Sequence, residues 1–140
     1  MLFRSVTSDS IYLVVKNGRI IKTEGLENDL RETLYPKINF KQIFADDIKN
    51  LNAYYSYNNP SLFSLELVLD YSLDDPEMVT IFGETRELSK ITETVRNNYL
   101  GWKFSNFYWV DEDFFVWKSD QIINPKLPIF KIEVTKKPSY

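Results

Sequence analysis

Histidine and cysteine do not occur anywhere in this chain of 140 residues. Their absence excludes Ser-His-Asp and Cys-His nucleophilic catalysis, because both depend on an imidazole base. It also excludes disulfide bonds and zinc sites with nitrogen or sulfur ligands. Carboxylates, lysine, tyrosine and serine remain as the available chemistry, and we expect neither a cofactor nor a metal ion.

Positive charge is not in excess, since 17 basic residues stand against 20 acidic ones and the net charge is −3. We therefore expect no nucleic-acid partner, because there is no surplus of lysine and arginine to neutralise phosphates. No apolar run reaches the roughly 18 residues that indicate a membrane-spanning helix. Residues 1–10 also lack the long apolar region of a signal peptide.

The composition is that of one folded domain over residues 1–140. Apolar residues make up 44% and aromatic residues 16% of the chain, whereas glycine and proline number only 4 and 6. Such a chain can bury a core and has no linker-like or repetitive segment.

Local patterns predict a hairpin followed by two short helices. Asn17-Gly18 is typical of a type I′ turn, so residues 10–16 and 19–24 are predicted to pair as strands. Residues 26–34 carry leucine at every fourth position, which favours a short amphipathic helix. Residues 40–51 have apolar side chains near helical spacing, which predicts a second short helix or a loop packed on the core.

From residue 53 onwards the pattern is that of strands separated by turns. In residues 61–72 the odd-numbered positions from Phe63 to Tyr71 are all apolar, which predicts one inward face. Residues 58–60, Asn-Asn-Pro, are predicted to form a turn. Residues 85–98 fit either a helix or a strand, and their threonine content favours the strand. The predicted strands of this part are 53–57, 61–72, 78–83, 85–98, 103–110, 114–123 and 129–137.

The prediction for the fold is therefore all-β and mainly antiparallel, a barrel-like or sandwich domain of about seven or eight strands with one or two short helices. No repeated strand–helix–strand unit occurs.

The stretch FYWVDEDFFVWKS, residues 107–119, predicts an aromatic hairpin. On its first strand Tyr108 and Val110 face one side, while Phe107 and Trp109 face the other. Both faces of the hairpin are therefore apolar. The aromatic residues are either core, as large aromatics usually are, or an exposed platform on which sugar rings stack. Trp102, Trp109 and Trp117 are the candidate sugar-stacking residues.

The acidic turn of this hairpin is Asp111-Glu112-Asp113. Aspartate favours turns because it bonds to its own backbone, so a solvated turn explains these residues without any chemistry. A calcium site is not indicated, because the spacing of an EF-hand is missing. A carboxylate pair for glycoside hydrolysis is the remaining alternative, although adjacent turn residues rarely straddle a substrate.

Two longer stretches, NGRIIKTEGLENDL (17–30) and NFYWVDEDFFVWKSDQIINPKLP (106–128), resemble segments of the YjbF/GfcB family, the group 4 capsule polysaccharide lipoproteins of Gram-negative bacteria. Their order and separation also fit, and the resemblance extends from about residue 3 to Pro138. The positions that match the pattern are Gly18, Arg19, Thr23, Gly25, Leu26, Trp109, Asp111, Trp117, Ser119, Gln121, Pro125 and Pro128.

The resemblance implies an envelope lipoprotein with a β-barrel-like domain, linked to production or export of capsular polysaccharide or exopolysaccharide. It implies a periplasmic, outer-membrane-associated protein whose partners are export or assembly proteins and capsular polysaccharide. It brings no catalytic residues. This chain departs from the pattern in lacking the signal sequence and the lipid-bearing cysteine before the first hairpin, and in having Asp113-Phe114 where the family has Thr-Gly. Strand edges left open would allow homo-oligomers.

The predicted function is a non-catalytic accessory role in polysaccharide export, acting through glycan or protein contacts. The alternatives are a carboxylate-based glycan hydrolase or lyase and a purely structural, oligomerising β domain. The candidate binding residues are Trp102, Trp109, Trp117, Asp111, Arg19 and Gln121. Arg19, Asp111 and Gln121 are polar, so each either pairs with the others inside the fold or meets a ligand.

Overall fold

The computed structural model describes residues 2–6, 11–58 and 61–137. Within these residues it contains eleven strands and one helix. They are β1 (Leu2–Val6), β2 (Tyr12–Lys16), β3 (Arg19–Glu24), β4 (Leu30–Leu34), α1 (Phe40–Ala45), β5 (Asn50–Tyr57), β6 (Leu62–Leu73), β7 (Glu77–Ile81), β8 (Glu84–Asn97), β9 (Trp102–Val110), β10 (Val116–Gln121) and β11 (Phe130–Glu133).

Seven of the strands pair into one large antiparallel sheet with the order β11-β10-β9-β8-β6-β5-β4. β7 pairs with residues 84–88 of β8, and β6 pairs with residues 91–96 of the same strand. β7 and β6 therefore follow one another along the same edge of β8. A smaller sheet has the order β1-β2-β3. The large sheet is curled into a half-barrel, so the all-β prediction is confirmed.

The first hairpin forms as its turn chemistry predicts. Asn17 has a φ of 51° and Gly18 a φ of 82°, the left-handed pair that a type I′ turn requires. Gly18 is also the only residue type that fits, because a Cβ built there would lie 2.3 Å from Cγ2 of Val116 on β10. The turn therefore docks closely on the large sheet.

The predicted helix over residues 26–34 is wrong, since residues 30–34 form strand β4. The Asp29 carboxylate accepts hydrogen bonds from the backbone N–H groups of Gly25 and Leu26 and from the Thr23 hydroxyl, which holds the chain in a turn. The segment that follows then pairs with β5. A sheet edge offers a backbone partner to every second residue, and this outweighs the weak helical spacing of the leucines.

Of the two alternatives for residues 40–51, the short helix is confirmed as α1, but it ends at Ala45, and residues 50–51 already belong to β5. Asn39 caps it, with its side chain accepting from the N–H of Gln42 while the Gln42 side chain accepts from the N–H of Asn39. This reciprocal capping box satisfies two backbone donors at the start of the helix. The preference for a strand over residues 85–98 is also confirmed by β8.

Strand β6 departs from its predicted face at one end. Phe63 is 85% exposed rather than buried, whereas Leu67 and Leu69 point inward as predicted. The register with β5 shifts between Tyr55 and Tyr57, and Ser64 has a φ of 49°. This bulge inserts one extra residue into β6 and reverses the alternation beyond it, so Phe63 turns outward. The predicted turn that follows β5 includes Asn59 and Pro60, which lie outside the described residues, as does Ser10 in the first predicted strand.

The main core lies between the two sheets. We call the side of the large sheet that carries β2, β3 and α1 its inner face, and the opposite side its outer face. Leu13, Val15 and Ile20 of the hairpin pack on inner-face residues such as Leu67 and Leu69. Phe40 and Ile43 of α1 close one end of this layer in a second cluster.

The outer face carries a smaller cluster at the β7–β8 hairpin, built on Ile81, Leu88 and Trp117. The aromatic hairpin β9–β10 therefore has side chains packed against both faces, although Phe107 and Trp109 on the outer face are only half-buried.

Candidate binding cleft

A cleft of about 1070 Å³ opens beside the β2–β3 turn. Its walls come from that turn, from the segment 33–42, from the β9–β10 turn with the start of β10, and from residues 132–137. Seven lysine and arginine residues line it, against Asp113 and Glu133 as the acidic ones. The cleft is therefore cationic although the whole chain carries a net charge of −3.

Arg19 lies in this cleft beneath its aromatic lining. Its guanidinium carbon is 4.4 Å from the ring centroid of Phe40 and 4.6 Å from that of Tyr35, so both rings meet the cation. Only 6% of Arg19 is exposed. The arginine reaches this place because it begins β3 directly after the turn that docks on β10. Such cation–π contacts stabilise a charge that has lost its water.

Glu93 of β8, which is fully buried, neutralises Arg19. One oxygen of its carboxylate accepts from Nε and Nη2 of Arg19, each at 3.2 Å, and from the Tyr71 hydroxyl at 2.6 Å. The other oxygen accepts from the Asn106 amide at 3.1 Å and the Tyr108 hydroxyl at 3.0 Å. With five donors around it, the buried carboxylate has the hydrogen bonds that a charge out of water requires.

The network keeps the guanidinium of Arg19 charged. Burial by itself lowers the pKa of Arg19, but Glu93 together with the neighbouring tyrosines Tyr71, Tyr35 and Tyr108 outweighs burial and raises the pKa, so the guanidinium stays protonated. Five core tyrosines have a pKa raised above the ordinary value, in each case mainly because burial disfavours the phenolate. They are Tyr35, Tyr55, Tyr57, Tyr71 and Tyr108.

Gln121 fixes the hairpin to the large sheet. Its side-chain oxygen accepts from the backbone N–H of Ile20 at 2.9 Å, and its amide group donates to the carbonyl of Gly18 at 2.8 Å and to the Ser119 hydroxyl at 2.9 Å. It is 3% exposed. These contacts supply backbone partners at the hairpin end, where the two sheets meet.

Asp111 organises the acidic turn. Its carboxylate accepts from the backbone N–H groups of Asp113 and Phe115 and from the indole N–H of Trp117 at 3.0 Å. Partial burial raises its pKa, but these hydrogen bonds and the charge of Lys137 outweigh burial and hold the pKa below its usual value. Arg19, Asp111 and Gln121 thus all pair inside the fold, each with other partners than the sequence suggests.

Phe114 completes this turn with a φ of 61°, a left-handed conformation that favours glycine. Its ring stacks on Phe44 of α1 with the centroids 6.1 Å apart. This packing offsets the backbone cost and places an aromatic wall in the cleft.

The three tryptophans do not share one surface. Trp102 packs on the inner-face core at the start of β9, in edge contact with Tyr57. Trp109 and Trp117 belong to the outer-face cluster. Lys118 lies 4.8 Å from the ring centroid of Trp109, and other contacts cover Trp117, which is 5% exposed. A sugar-stacking role of the tryptophans stays a prediction. Of the two tryptophans on the outer face, Trp109 is half-buried, whereas Trp117 is buried, so Trp109 is the one with an accessible part of its ring.

Sequence reasoning missed Glu93 and the lysines of the cleft. Glu93 had a detectable signal, because it lies between Ile91 and Val95 on the same face of a predicted strand. A charged residue in an apolar row indicates a buried partner. The cleft lysines gave no comparable signal in the sequence, because they are far apart along the chain.

Neither a metal site nor a membrane-spanning helix is found within residues 2–6, 11–58 and 61–137. No group of three or more acidic side chains there lies close enough to hold a metal ion. No helix there is long and apolar enough to cross a membrane.

The fold and the cleft define a curled β half-barrel closed on its inner face by a hairpin. The sequence pattern of the YjbF family, described as group 4 capsule polysaccharide lipoprotein gfcB, YjbF, matches residues 4–135, and the chain belongs to this family.

Among solved structures, the chain is similar to the hypothetical lipoprotein YmcC from Escherichia coli K12, with a TM-score of 0.77 and 20% sequence identity. The match covers 99% of this chain and 73% of that one, and it supports the fold. A search of curated proteins returned no match.

Proposed function

We propose that this domain is a non-catalytic accessory protein for capsular or exopolysaccharide production or export, and that it holds glycan in the cleft beside the β2–β3 turn. The observation that carries the proposal is this cleft of about 1070 Å³, lined by lysines and aromatic side chains, in a member of a capsule polysaccharide family. Aromatic faces stack on the apolar faces of sugar rings, and cations and amides bond to their polar groups.

The placement of the carboxylates favours binding over catalysis. A glycosidase needs one carboxyl group that can donate a proton and a second one across the substrate. The Asp111 carboxylate is occupied by turn N–H groups and has a lowered pKa, and Glu93 lies at the centre of a closed network. We therefore place the hydrolase or lyase alternative second.

The proposed location of the protein is the periplasmic side of the outer membrane. Its proposed partners there are the export and assembly proteins of the envelope. Self-association is a further proposal, because β4 and β11 end the large sheet and an end strand has unpaired backbone groups. Light scattering of the purified domain at increasing concentration tests it, and a monomer throughout would refute it.

The main proposal is tested by a gene deletion in the host and by binding measurements on the purified protein. Deletion of the gene is expected to reduce surface polysaccharide, and the wild-type gene is expected to restore it. The purified domain is expected to bind the host polysaccharide without shortening it, as measured by isothermal titration and by size-exclusion of the polymer after incubation. New reducing ends would refute the non-catalytic role, and absence of binding would refute glycan contact.

A further inference from the structure

Four lysines give the cleft a positive charge that the protein itself does not balance. Lys16, Lys37, Lys41 and Lys136 line the cleft, are exposed, and make no ion pair with any residue that the structure describes. Outside the cleft, by contrast, lysines such as Lys22, Lys49 and Lys90 do have acidic partners. Unbalanced cations along one concave surface attract anions.

The other charges of the cleft largely cancel. Arg19 is neutralised from below by Glu93 at 3.2 Å. Lys137 lies 3.6 Å from both Asp111 and Asp113, so its charge is already offset by the acidic turn. Glu133 is then the only described acidic residue of the lining without such a partner. Lys118 also lines the cleft without an ion pair, but it is half-buried and its ammonium lies 4.8 Å from the ring centroid of Trp109 on the outer face. The surplus is thus due mainly to the four exposed lysines.

We infer that this cleft binds an anionic glycan, that is, a polysaccharide segment whose sugars carry carboxylate or phosphate groups. The inference rests on the proposed function and narrows its ligand to one chemical class. The lysines supply the attraction for the anionic groups, while Phe114, held on Phe44, and Phe115 supply apolar faces for sugar rings.

The shape of the site favours a polymer over a membrane surface. A volume of about 1070 Å³ is at the upper end of ligand pockets, which commonly span roughly 300–1,000 Å³, so it admits several sugar units. An anionic bilayer is broad and flat, so its headgroups meet the rim of a concave site rather than its lining.

The experiment titrates the whole domain with short galacturonic acid oligosaccharides and with neutral galactose oligosaccharides of the same length, by isothermal titration at low and at physiological salt. We expect the anionic probe to bind at least about tenfold more tightly. We expect this preference to shrink as salt rises, because exposed charges are screened.

The variant is Lys37→Gln with Lys41→Gln, and the matched control is Lys22→Gln with Lys49→Gln, which removes two exposed lysines outside the cleft. The cleft variant is expected to lose about tenfold in affinity for the anionic probe, whereas the control is expected to keep it. Thermal unfolding of both variants verifies that they fold as the parent does.

Each of the other possible outcomes would refute a specific part of the proposal. Equal affinity for both probes would refute the anionic class, and binding of the host polysaccharide would then leave the proposed function standing. Failure to bind the host polysaccharide would refute the proposed glycan contact itself. Binding to phosphatidylglycerol vesicles, lost in the cleft variant, with no binding to either oligosaccharide would assign the lysines to a membrane surface and refute the inference.

Discussion

Removal of the Arg19 guanidinium is the sharpest test of the buried network. In the Arg19→Met variant Glu93 remains fully buried but loses its ion pair, and Tyr71 loses the donor at 2.6 Å from its hydroxyl. Breaking a buried ion pair by removing one partner costs about 3–5 kcal/mol, because an uncompensated charge remains inside. That is a large share of the roughly 5–15 kcal/mol by which domains are stable.

The assay is urea unfolding followed by tryptophan fluorescence, which gives the free energy of unfolding and the dependence on urea. The matched control is Lys49→Met, which breaks the pair with Asp47 where the two side chains are 79% and 82% exposed. An exposed pair contributes at most about 1 kcal/mol, so the control is expected to remain near the parent.

A double variant separates the pair from general loss of packing. Adding Glu93→Gln to Arg19→Met removes the stranded charge, so we expect the double variant to lose less stability than the sum of the two single variants. Couplings between groups in contact are about 0.5–3 kcal/mol. If Arg19→Met alone costs below about 1 kcal/mol, or if the two losses simply add, the reasoning about a closed buried pair is refuted.

The remaining predictions concern the turn, the bulge and the dependence on pH. Gly18→Ala is expected to cost roughly 2–5 kcal/mol in urea unfolding, because of its left-handed φ and the contact with Val116, and Val116→Ala should recover part of this loss. Phe63→Ser is expected to change the free energy of unfolding by less than about 0.5 kcal/mol, and a core-sized loss would contradict its exposure.

Because the pKa of Asp111 is lowered in the folded state, its contribution to the free energy of unfolding is present above about pH 4 and is lost as the pH falls below this. The difference in free energy of unfolding between the parent and Asp111→Asn should therefore narrow at acidic pH. Because burial raises the pKa of the five core tyrosines, the stability they contribute is present below about pH 10 and falls as the pH rises further, so alkaline unfolding should coincide with a step in phenolate absorbance.

The errors of sequence reasoning have a common physical origin. The helix predicted over residues 26–34 and the inward face predicted for Phe63 both assume that local periodicity continues undisturbed. In the fold, the Asp29 turn delivers β4 to the edge of β5, and a bulge at Ser64 reverses the faces of β6. Both events depend on a neighbouring strand, which local spacing does not reveal.

Features whose physical cause lies within a few residues can be predicted from the order of amino acids. Asn17-Gly18 specifies its turn because both positions adopt positive φ, and Asn39 with Gln42 specifies the start of α1 through mutual hydrogen bonds. The all-β class and the family followed from strand alternation and from two long stretches of matching residues.

The candidate site, by contrast, depends on how distant segments pack in three dimensions. The Arg19–Glu93 pair joins residues 74 positions apart, and the cleft lysines come from the first hairpin, the segment before α1, α1 itself and the residues after β11. Electrostatic attraction and burial depend on distance in space, whereas a sequence records only order along the chain. The pairing of a buried charge and the surplus of exposed ones therefore appear only when the two sheets pack together.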